Sequence, residues 1–136
     1  MYAEVPVNRA IHILIIDSDA DMLKACEQLL RSRKTITVTT CDNLAAMRIL
    51  FSCMPDIVLI ELVMPDKDGI ELLREIKRTA PETKIIAMSG GGDFLSTEFV
   101  LRLARRLGAD STVSKPVDAG RLHDAIETVF PSQAAR

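Results

Sequence analysis

The stretch Pro55-Asp56-Ile57-Val58-Leu59-Ile60-Glu61-Leu62-Val63-Met64-Pro65-Asp66-Lys67-Asp68-Gly69 places the tightest limits on how this chain can fold. Ile57 to Ile60 is an unbroken apolar run, β-branched apart from Leu59, with turn formers on both sides. That pattern predicts a central strand buried on both faces of a parallel sheet. A carboxylate, Glu61, follows at once. In open α/β sheets the carboxyl ends of the strands open onto the crevice where sites lie. The plain alternative is a solvated Glu at a strand terminus. Met64-Pro65 and Asp68-Gly69 then turn the chain into a helix predicted from Ile70 to about Thr79.

The same alternation runs through the rest of the chain. Ile11 to Ile16 is a second apolar strand ending in Asp17, Ser18 and Asp19. A helix is predicted over 20–33, with Leu23, Cys26 and Leu30 inward and a capping box between Ser18 and Asp21. Ile36 to Thr40 reads as a short β-branched strand, and Asp42 as the cap of a helix over 43–52 facing inward through Ala46, Met47 and Leu50. After Pro81, Lys84 to Ser89 forms a strand followed by Gly90-Gly91-Gly92. A helix over 96–107 ends at Gly108 with arginines in its later turns, where the helix dipole favours cations. Asp110 to Ser114 is a weaker strand stopped by Lys115-Pro116, and Asp118 caps a last helix over 119–130. Five strands alternating with five helices predict a doubly wound, flavodoxin-like parallel α/β sandwich. Residues 1–10 are an irregular lead-in, 11–130 one folded unit, and 131–136 a tail.

Composition removes several function classes. With 136 residues and 48% apolar content the chain supports one packed core. A net charge of -2 gives no overall case for nucleic acid or membrane surfaces. Cys26, Cys41 and Cys53 are odd in number and lack CxxC spacing, so they read as reduced core thiols. His12 and His123 have no ligand partner at metal spacing and read as surface residues. No apolar run approaches a membrane span and no signal peptide is evident, which points to the cytoplasm.

Once these elements are placed, the chain resembles the receiver domain of bacterial two-component response regulators. The resemblance covers about Ile11 to Phe130 and rests on ILIIDSD, PDIVLIELVMPDKDG, IIAMSGGG, LGAD and SKPVD. It implies the (βα)5 receiver fold and a role in phosphorelay signal transduction, as a protein-interaction module rather than an enzyme. In that family an Asp at the end of the third strand accepts phosphate from a histidine kinase or phosphotransfer protein. Acids after the first strand and a backbone carbonyl hold Mg²⁺, while a hydroxyl and a lysine bind the phosphoryl oxygens, so that charge is screened and the nucleophile held in line. The resemblance assigns Asp17 to the first acid, Val63 to the carbonyl, Ser89 to the hydroxyl and Lys115 to the ammonium.

Three positions depart from the family pattern. The acceptor position is Glu61, whose extra methylene carries the carboxylate roughly 1.5 Å further into the pocket. Displacements near 1 Å can cost about a hundredfold in rate. The second acid is Ser18, with Asp19 next in line, and the aromatic switch position is Thr112. The expectation is therefore a pseudo-receiver, stand-alone in this chain, with a Glu61–Lys115 ion pair that either mimics phosphate or simply satisfies the lysine. Asp17, Glu61 and Val63 are retained as a weak or lost Mg²⁺ site. The alternatives are a working acceptor at Glu61, Asp66 or Asp68, and a small-molecule or nucleotide site on the Gly90–Gly92 loop. Expected partners are a histidine kinase, a phosphotransfer protein or a downstream effector. Arg102, Arg105 and Arg106 mark the face of the fourth helix, fifth strand and fifth helix as a docking or homodimer surface.

Overall fold

Side chains leave each central strand alternately to its two faces, and the sequence fills both with apolar residues. In the strand Ile11–Ile16 (β1), Leu14 and Ile16 enter one core while Ile13 and Ile15 enter another. The strand Ile57–Glu61 (β3) divides in the same way, with Val58 and Ile60 on one side and Ile57 and Leu59 on the other. The computed structural model describes residues 10–31, 36–64, 69–89 and 96–131. The remaining strands are Ile36–Cys41 (β2), Lys84–Ser89 (β4) and Ser111–Ser114 (β5). All pair in parallel in the order β2-β1-β3-β4-β5. This is the doubly wound (βα)5 fold that the alternating pattern predicts.

Helices close both faces. Ala46–Cys53 (α2), Gly69–Thr79 (α3) and Thr97–Arg106 (α4) supply Ala46, Leu50, Leu72, Leu73, Ile76, Val100 and Ala104 to the first core. Ala20–Arg31 (α1) and Ala119–Val129 (α5) supply Cys26, Leu30, Leu122, Ala125, Ile126 and Val129 to the second. Each fully buried Leu or Ile of this kind contributes about 1.5–3 kcal/mol relative to exposure. The layers are therefore held mainly by apolar burial.

Helix ends follow local chemistry, with some shifts from expectation. Ser96 accepts from Phe99 N–H and Asp118 from Arg121 N–H, capping α4 and α5. At the far end of α4, Gly108 takes φ 118°, and Gly108 and Ala109 N–H donate to Arg105 and Ala104 carbonyls. That is the Schellman closure for which glycine is suited. At α1 the cap is Asp19, not Ser18. Asp19 C=O accepts from Leu23 N–H and its Oδ1 from Asp21 N–H, and the helix starts at Ala20 as predicted. At α2, Asp42 Oδ1 accepts from Ala45 N–H, and residues 43–45 form a turn before the helix begins at Ala46.

His12 also departs from expectation. It is half-buried on β1, with Nε2 2.7 Å from Thr39 Oγ1 on β2 and its backbone N–H on Asp56 Oδ2. The thiols are free: Cys26 is buried, and Cys41 and Cys53 are half-buried. Burial, then Asp42, pushes the Cys41 thiol up to about 12.

Gly69 opens α3 where it passes over the end of β3. Its N–H donates to Leu62 O at 3.2 Å, and a Cβ there would lie 2.5 Å from Leu62 O and 2.6 Å from Glu61 O. Both obstacles are backbone, which cannot swing aside. Gly69→Ala is therefore expected to lose about 1–3 kcal/mol, as overpacked substitutions do. A urea unfolding midpoint unchanged from the native chain would contradict this reading of the contact.

Candidate functional site

Parallel register sets the strand ends in one row. Ile16 pairs with Ile60, so the next residues, Asp17 and Glu61, stand level at the carboxyl ends of neighbouring strands. Ser89 pairs with Ser114 across β4 and β5, and Lys115 N–H donates to Ser89 O at 3.1 Å. Asp17, Glu61, Ser89 and Lys115 thus come together from four strands. Parallel register is what sets their backbones in one row.

The charges are interlocked. Lys115 Nζ lies 2.6 Å from Glu61 Oε1 and 3.5 Å from Asp17 Oδ2. The other oxygen of each carboxylate is held by backbone: Glu61 Oε2 accepts from Leu62 N–H at 2.7 Å, and Asp17 Oδ1 from Asp19 N–H at 2.9 Å. Asp17 and Glu61 are 2% and 5% exposed, and Ser89 is buried. The Asp17 contact is ionic rather than a formed hydrogen bond, since Oδ2 has no hydrogen-bond partner among the described residues. Burial raises Glu61 above its ordinary 4.5, against the hydrogen bond and charge of Lys115, which lower it. Burial pulls the Lys115 ammonium down, but Glu61 and then Asp17 more than offset this and raise it above 10.5. Lys115 is therefore firmly an ammonium.

Other residues surround this row. Cys26 of α1 lies beneath it: burial raises the thiol, and Asp17 and Glu61 add to that against Lys115. Asn43 is 2% exposed, and its Nδ2 has no hydrogen-bond partner among the described residues. Neither was legible as a site residue, because helix periodicity explained Cys26 and turn chemistry explained Asn43. Ser18 is half-buried, Asp19 is exposed with its carboxylate spent on the α1 cap, and Val63 stands on the exposed rim. Thr112 Oγ1 accepts from Arg105 Nη2 at 3.0 Å, while Arg102 and Arg106 are exposed. Asp66, Asp68 and Gly90–Gly92 lie outside the described residues.

A search of protein families matches residues 13–127 to the response regulator receiver domain. The chain belongs to that family. Among curated relatives it is similar to transcription factor SKN7 of Saccharomyces cerevisiae, at 27% identity over 90% of this chain and 19% of that protein. It is similar to sporulation initiation phosphotransferase F of Bacillus subtilis, at 26% identity over 88% of this chain and 93% of that one. The chain thus spans about a fifth of the first relative and most of the second. A solved receiver domain protein from Clostridium thermocellum superposes with TM-score 0.79 at 29% identity, covering 92% of this chain and 98% of that one. No helix among the described residues is long and apolar enough to cross a membrane.

Receivers use a divalent cation at this crevice, and the donor set here fits one poorly. The two carboxylate oxygens that face the pocket both face Lys115 Nζ. Among the described residues no group of three acidic, His or Cys side chains is placed to hold a metal. Two buried carboxylates with one ammonium suit the ammonium itself. Removing it should expose the cost: breaking a buried pair leaves the other charges uncompensated and costs about 3–5 kcal/mol. Lys115→Met is expected to lose that amount in urea unfolding at neutral pH. The pH dependence follows from Glu61. Its folded pKa lies above 4.5, so its contribution is fully present below 4.5 and lost as pH rises through the raised value. The deficit of Lys115→Met should therefore shrink as pH falls toward 4.5, and a deficit independent of pH would refute the ion-pair account.

Proposed function

We propose that this chain is a receiver module whose acceptor site has become a permanent ion pair. It acts in a two-component relay by binding other proteins, a histidine kinase, phosphotransfer protein or downstream effector, without accepting phosphate. The observation that carries this reading is the 2.6 Å contact between Glu61 Oε1 and Lys115 Nζ. Phosphoryl transfer needs a nucleophile free to meet the donor in line and a cation free to take up charge on the phosphoryl oxygens. Here one Glu61 oxygen is held by Lys115 and the other by Leu62 N–H. The lysine that would receive a phosphoryl group already holds a carboxylate.

The ion pair also supplies what a phosphoryl group would, an anion beside Lys115 at the end of β3. That favours a phosphate mimic over an empty relic. The readout departs from the family pattern too, because Thr112 is tied to Arg105 on α4 where an aromatic switch is expected. A hydroxyl held by a guanidinium couples β5 to α4 by a polar link that does not require a ring to change rotamer.

Intact mass after incubation with Mg²⁺ and a small acyl phosphate tests the reading. The native chain should gain nothing. The double variant Ser18→Asp with Glu61→Asp, which restores two acids and shortens the acceptor, should gain one phosphoryl group. Phosphorylation of the native chain would overturn the proposal and make this a working switch with an unusual acceptor.

A further inference from the structure

We draw no further inference here: the strongest candidate, the open apolar cavity beside the exposed Phe51 and Met54 where α2 ends, carries nothing because nothing in the structure shows what covers it.

Discussion

The Lys115 ammonium between Asp17 and Glu61 is the interaction on which the carboxyl end of the sheet depends. Parallel register forces the two carboxylates to the same level on neighbouring strands, both nearly sealed from water. Two such anions repel each other and resist burial. The lysine comes from the loop beyond β5, two strands away from β3. One side chain thus ties β1 and β3 to the far edge of the sheet. Its net stabilisation is small against the apolar layers, because burying charge costs much of what Coulomb attraction returns. It still sets how the crevice is arranged, since one oxygen of each carboxylate faces it.

In a receiver, this crevice ordinarily changes charge when phosphate arrives. Here a carboxylate of the chain, Glu61, lies against Lys115 in that crevice. Leu62 N–H and Lys115 Nζ hold the two oxygens of the Glu61 carboxylate. Asp19, the nearest acid that could replace Ser18, is directed to the α1 cap instead. Backbone needs at a helix start thus occupy that carboxylate.

The fold was legible because its signal is local and repeated. Buried apolar strands alternate with helices whose inward residues recur at helical spacing, so strand count, helix count and the inward set of α2 could be read from periodicity. Gly108 announced its own conformation, since the αL closure after α4 favours a residue without a side chain. At α1 the helix begins at Ala20 as predicted and only the capping residue differs, while at α2 the helix begins at Ala46, after the turn that Asp42 holds.

The candidate site was legible as a set of residues: Asp17, Glu61, Ser89 and Lys115 each follow a strand, and the ends of parallel strands meet. The sequence by itself determined which chemical groups stand in the crevice, because strand termini and family motifs are written in order along the chain. Only the tertiary structure decided how those groups use their bonds. Which Glu61 oxygen faces Lys115 and that His12 is bound to Thr39 depend on distances between segments far apart in the chain. A linear pattern carries residue type and spacing, while those distances arise only when the layers pack.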